Sequence, residues 1–166
     1  MYDTVLGIDV GLNGYVAIYR NGIEVVPIEH EIVRFRNFIQ HYKSISKSMI
    51  VYIEKIDFHN VSNPAIVRRM KKLIDHYSEM VAVLKLEDIN YREVHPRTWQ
   101  KHFGLIVKGV QGYDKKKMHR DFLCRTLKFK HVAVNKADAI LILKYGLSLL
   151  QANNSISNTI TLQMCK

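Results

Sequence analysis

The stretch "VLGIDVGLNGYVAIY", residues 5–19, decides the fold. Two apolar runs flank Asn13-Gly14, and an Asn-Gly pair between alternating hydrophobics is the strongest local signal of a β-hairpin. Inside the first run stands a carboxylate, Asp9. An ionised carboxylate among Val, Ile and Leu is costly unless a positive group pairs with it. Asp9 therefore either caps a turn at a strand end or is held there to bind something positive.

Working outward, Asn21-Gly22 repeats the turn signal, which predicts three consecutive antiparallel strands over about 3–10, 14–20 and 23–28. Ile32, Val33, Phe35, Phe38, Ile39 and Tyr42 recur at helical spacing and predict a helix over 31–43. "MIVYIE", 49–54, is the near-continuous apolar run of a strand buried on both faces. A right-handed crossover lets it lie parallel beside the first strand. Asn63-Pro64 opens a helix whose apolar face runs from Ile66 to Leu84, with Arg68, Arg69, Lys71 and Lys72 pointing elsewhere. A short strand near 90–94 leads to a helix after Pro96, a glycine-bearing loop over 104–112, a basic helix "DKKKMHRDFLCRTL" and an apolar helix over 134–150. The expected fold class is α/β: one domain over 1–150 with a mixed five-stranded sheet flanked by helices. Residues 151–166 form a polar tail of a composition compatible with disorder.

A chain of 166 residues holds one well-buried core and is short for two. It has no apolar run of membrane-spanning length and no basic segment ahead of an apolar one at its start, so the expectation is a soluble, cytoplasmic protein. Cys124 and Cys165 are too far apart in sequence to suggest a metal cluster and read as free thiols. The net charge of +10 favours polyanionic partners, nucleic acid before an anionic membrane surface.

Glu54 repeats the puzzle of Asp9 at the end of its own apolar strand. If the two strands are parallel neighbours about 4.8 Å apart, both carboxylates face one crevice at the strands' carboxyl ends. Asp138, in the first turn of the last helix, shares a face with Ile142, Tyr145 and Leu149. Asp138 also fits a plain capping role, with Asn135 as N-cap. Three clustered carboxylates ionise together only around cations, and an all-oxygen set suits Mg²⁺ or Mn²⁺. Two such ions roughly 3.5–4 Å apart activate water and stabilise the leaving oxygen of a phosphodiester. A basic chain with that centre reads as a nuclease.

"GIDVGLNGYVAIY", "VYIEK", "PRTWQKHFG", "DKKKM" and "KADAILI", in this order, resemble the RuvC family of Holliday-junction resolvases within the ribonuclease H-like superfamily, over residues 3–150. The resemblance implies a homodimer on a four-way DNA junction, each subunit nicking one strand by Mg²⁺-dependent hydrolysis to leave 5′-phosphates. It implies that Asp9, Glu54 and Asp138 are the metal-binding acids. Where the family has a fourth ligand, Asp or His, this chain has Asn135, with His131 one turn upstream as the alternative. Lys101 and Lys115 match basic positions near the scissile phosphate, with Lys108, Lys116 and Lys117 as equal candidates for DNA contact. Phe58 resembles the aromatic that stacks at the opened junction centre. "RRMKKLIDHYSEM" replaces a small-residue pattern in the helix that resembles the dimer-forming one. These departures fit a divergent, phage-borne member. Three rivals stand beside this reading. One is a nuclease of the same fold acting on forks, flaps or RNA–DNA hybrids. Another is a junction-binding protein with weak catalysis. The last is an actin-like ATPase, for which the chain is too short.

Overall fold

The computed structural model describes residues 2–11, 13–56 and 64–164, with side chains as far as Ala152. Five strands, β1 (Thr4–Asp9), β2 (Tyr15–Tyr19), β3 (Ile23–Pro27), β4 (Met49–Glu54) and β5 (Asn90–Val94), form one sheet in the order β3-β2-β1-β4-β5. β1 pairs antiparallel with β2 and parallel with β4, and β5 joins β4 in parallel. Helix α1 (Ile32–Ile45) makes the crossover between β3 and β4, and α2 (Pro64–Leu86) the one between β4 and β5. Three more helices follow: α3 (Pro96–His102), α4 (Gly112–Arg125) and α5 (Ala137–Met164), the last preceded by a single 3₁₀ turn, Val134–Lys136. The expected α/β architecture with a mixed five-stranded sheet is the one observed.

Strand periodicity sorts the central side chains into two cores. Leu6, Ile8, Val51 and Ile53 point to one face, where Phe35 and Ile39 of α1 and Met80, Val81 and Leu84 of α2 cover them. Each of these buried side chains contributes roughly 1.5–3 kcal/mol. Val5, Ile50 and Tyr52 point to the other face, against Trp99 of α3, Leu123 of α4 and the apolar start of α5. Gly7 shares this second face. A Cβ there would stand 2.4 Å from the Leu143 nitrogen and 2.7 Å from the Ala139 oxygen, so the bare glycine lets the α5 backbone rest on β1. Gly146 repeats the device one strand over, where a Cβ would run into the Tyr52 ring.

Three local expectations are corrected. β1 and β2 pair antiparallel as expected, but Tyr15 stands opposite Asp9, so the five residues 10–14 join them rather than the three, 11–13, between the expected strands. Gly14 is tucked against the Asp9 carbonyl, 2.2 Å from where its Cβ would be, which widens the turn around the strand end. The apolar face of α2 is buried only in its C-terminal half; Val67, Met70, Leu73, Ile74 and Tyr77 are half-buried and Ile66 is exposed. Helix α5 continues to Met164, past residue 150; its polar second half contains no Gly or Pro to end it.

The close approach at Gly7 yields a test. Gly7→Ala forces α5 away from β1 and is expected to destabilise the protein by about 1–3 kcal/mol or more. Urea unfolding of the two proteins measures it, and equal midpoints would show that α5 does not rest on Gly7.

Candidate active site

The same packing fixes where the acids meet. In the parallel β1–β4 pair Ile8 stands opposite Ile53, so the next residues, Asp9 and Glu54, leave the sheet side by side. Both belong to the face carrying Gly7 and Tyr52, the face covered by α5. Ala139 lies over Gly7, which places its neighbour Asp138, in the first turn of α5, close to Asp9. The Lys116 ammonium, from α4, ties the two together: its Nζ is 3.6 Å from Asp138 Oδ2 and 3.9 Å from Asp9 Oδ2. Asp9, Glu54 and Asp138 come from three distant segments and converge on one end of the sheet.

Two further side chains hold the acids in place. Trp99, almost wholly buried in α3, donates its indole N–H to Glu54 Oε1 at 3.0 Å. His119 of α4, 1 % exposed, has Nδ1 2.6 Å from Asp138 Oδ1, and the Trp99 and His119 rings meet edge to face. Sequence reasoning passed over both residues. A buried indole needs an acceptor for its N–H, and an acid one strand away is the natural one. Lys116, His119 and Leu123 recur at helical spacing, so a single face of α4 carries the ammonium, the imidazole and a core leucine.

The electrostatics follow from burial. Desolvation pushes the Asp9 carboxyl up to about 6; repulsion from Asp138 adds to this and Lys116 opposes it. Glu54 is pushed up to about 8, chiefly by burial and then by the Asp9 charge, against the pull of the Trp99 hydrogen bond. Asp9 Oδ2 is buried without any hydrogen-bond partner. With all three acids ionised, the cluster would carry more negative charge than Lys116 alone neutralises, which, added to burial, is why Asp9 and Glu54 hold their protons. Among the described residues no three His, Cys, Asp or Glu side chains are drawn into a ready-made metal cage. The donor chemistry nevertheless fits a hard divalent cation: carboxylate oxygens, one of them buried and unpartnered, in a site short of positive charge.

The other candidate residues are placed as follows. Asn135 is exposed in the 3₁₀ turn, and its Nδ2 donates to Tyr15 Oη at 2.7 Å; Tyr15 is the strand partner of Asp9. His131 is exposed, with a positive φ of 54°. Phe58 lies outside the described residues. Lys101 and Lys108 are exposed. The run Lys115-Lys116-Lys117 does not act as one patch, because successive helical residues are turned by about 100°. Lys115 lines a cleft of about 200 Å³ with Arg97, Gln100 and Ile106. Lys117 lines another of about 520 Å³ with Asp114, Asp121 and Arg125. Of the candidate lysines, Lys116 alone pairs with the acids among the described residues.

No family model and no curated protein matches the chain. Solved structures do. RuvC of Thermus thermophilus in complex with Holliday junction substrate is 14% identical, with a TM-score of 0.51 over 84% of this chain and 90% of that one. A second structure of Thermus thermophilus RuvC is 16% identical with a TM-score of 0.50 over the same shares. The yeast mitochondrial Holliday junction resolvase is more distant, 14% identical with a TM-score of 0.43 over 84% of this chain and 75% of that one. At such identities the similarity to RuvC shows the fold: the chain has the ribonuclease H-like architecture of RuvC.

The raised carboxyls predict a pH dependence. In the metal-free protein Asp9 and Glu54 keep their protons to higher pH when folded than when unfolded. Stability is then full below their ordinary values of 3.8 and 4.5 and falls as pH rises through about 6 and about 8. Urea unfolding in EDTA between pH 4 and 9 is expected to show this decline, and Glu54→Gln to flatten its upper part. A wild-type profile rising across that range would contradict the burial of these groups. Trp99→Phe keeps the ring but removes the hydrogen bond that lowers the Glu54 value, and is expected to make the decline steeper near pH 8. An unchanged profile would show that the indole does not hold Glu54.

Proposed function

We propose that this protein is a metal-dependent, structure-selective DNA endonuclease that nicks four-way junctions by phosphodiester hydrolysis, leaving 5′-phosphates. The observation that carries the reading is the convergence of Asp9, Glu54 and Asp138 at one end of the sheet, in a chain with a net charge of +10. The fold shared with RuvC supports it, and the RuvC structure in complex with Holliday junction substrate supports junction DNA as the ligand.

In this reading Asp9, Glu54 and Asp138 hold Mg²⁺ or Mn²⁺, two ions per site. Bound there, the ions would supply an activated water and charge stabilisation at the leaving oxygen. The protein's own groups do the rest. Trp99 fixes the orientation of Glu54 and His119 that of Asp138, so the donors are set before the cation arrives. Asn135 is the fourth donor: its amide nitrogen is occupied by Tyr15, which leaves the amide oxygen as its ligating atom. The exposed Lys101, Lys108 and Lys117, with Lys115, bind backbone phosphates. Phe58, in the segment after Glu54, stacks on an unpaired base at the junction centre. A homodimer presents two such sites to a two-fold junction; the half-buried apolar residues in the first half of α2 support pairing through that helix.

The test is nicking of four-way, forked, flapped, RNA–DNA hybrid and linear substrates with Mg²⁺ or Mn²⁺. The four-way junction is expected to be cut at paired sites. Preferential cutting of forks or hybrids would move the substrate, and binding without nicking at any metal concentration would remove the enzyme. Asp9→Asn is expected to lower nicking by at least about 10²-fold while junction affinity stays within about threefold, since phosphate contacts supply most of it. Wild-type nicking by this variant would take Asp9 out of the chemistry.

A further inference from the structure

Lys116 occupies an unusual position for a surface lysine. Its side chain is 43% exposed, yet its ammonium faces Asp9 and Asp138, whose side chains are only 8% and 13% exposed. Among the described ion pairs no other Lys or Arg reaches either acid. The ammonium thus neutralises part of a carboxylate cluster that would otherwise face itself. It stands 3.6 and 3.9 Å from the two oxygens, beyond direct hydrogen-bond contact.

We propose that Lys116 is a place-holding cation: it occupies the acid cluster in the metal-free protein, yields it to a divalent ion, and on leaving becomes a contact for DNA phosphate. Cation binding and DNA binding are then coupled through one side chain. The inference rests on the reading of Asp9, Glu54 and Asp138 as the metal site. Its physics is direct. A divalent ion carries twice the charge and sits about 2.1 Å from carboxylate oxygens, so it outcompetes an ammonium held nearly twice as far away. The same ion repels the displaced ammonium. Lysine suits the exchange because its charge rides on a flexible four-carbon stem. The stem of Lys116 starts from the body of α4, so it can swing outward while the helix stays in place. His119, on the same face of α4, keeps its hold on Asp138 whether or not Lys116 is there. Lys115 and Lys117 face separate clefts, which leaves Lys116 as the one lysine of this run on the site's own face.

The experiment compares wild type, Lys116→Gln and Lys117→Gln. On the protein alone, calorimetric titration with Mn²⁺ is expected to show Lys116→Gln binding at least about threefold tighter than wild type, and Lys117→Gln binding within about twofold of it. On a four-way junction, anisotropy titrations in EDTA and in Ca²⁺ give the salt dependence of affinity. In wild type the slope of log affinity against log salt is expected to steepen by about 0.9 on adding Ca²⁺, the value of one phosphate contact. In Lys116→Gln it is expected not to steepen. A wild-type measurement stands independent of any variant's folding: acylation of the Lys116 amine, read by peptide mass spectrometry, is expected to rise several-fold when Mn²⁺ is added. Equal or weaker Mn²⁺ binding by Lys116→Gln, or an acylation rate indifferent to Mn²⁺, overturns the exchange and leaves the metal site standing. A wild-type protein that binds no Mn²⁺ overturns both.

Discussion

The site depends on one steric fact: the backbone of α5 rests directly on β1 because residue 7 has no side chain. A backbone-to-backbone approach of this kind fixes the depth and the register of a helix on a sheet more tightly than interdigitated side chains can, since no rotamer can absorb a shift. With Ala139 set over Gly7, Asp138, one residue before the contact on α5, is delivered to the end of β1, where Asp9 stands two residues beyond it. The parallel pairing of β1 with β4 brings Glu54 to the same level. Three carboxylates are thereby forced together by packing that has no charge of its own, and the apolar cores on both faces of the sheet supply the free energy that keeps them there.

That enforcement has an electrostatic consequence. Burial and mutual repulsion raise Asp9 and Glu54, and the protein responds with a small set of polar contacts: the Trp99 indole on Glu54, the His119 imidazole on Asp138, and the Lys116 ammonium facing two acids. The first two come from buried, rigidly packed rings and behave as fixed supports. The third is half in solvent and is the movable member of the set. Carboxyls raised by burial and mutual repulsion are ones that a cation beside them would lower again.

Much of this was legible in the sequence, for particular reasons. Continuous apolar runs ending in an acid announced β1 and β4 and located Asp9 and Glu54, because a buried strand tolerates a carboxylate only at its end. Asp138 was legible from helical periodicity combined with the position of the helix start. The first hairpin was legible as an antiparallel pair from Asn13-Gly14, but not the width of its turn, because Gly14 makes room for the Asp9 carbonyl and lengthens the connection at both ends. The lysine run could not be parsed from composition: three adjacent cations look alike in sequence, and only the phase of α4 sends Lys116 to the acids and its neighbours to other clefts. Trp99 and His119 were hidden for a related reason, since their partners lie on other elements and no local pattern marks a hydrogen bond across the fold.

The central claim is that three side chains remote in sequence surround a divalent cation. A crystal grown or soaked in Mn²⁺, with diffraction recorded near the manganese absorption edge, tests it most directly. The account predicts anomalous peaks within ligating distance, about 2.2 Å, of oxygens from Asp9, Glu54 and Asp138. An anomalous map with no peak at that end of the sheet under saturating Mn²⁺, or with the three carboxylates turned away from one another, would contradict it.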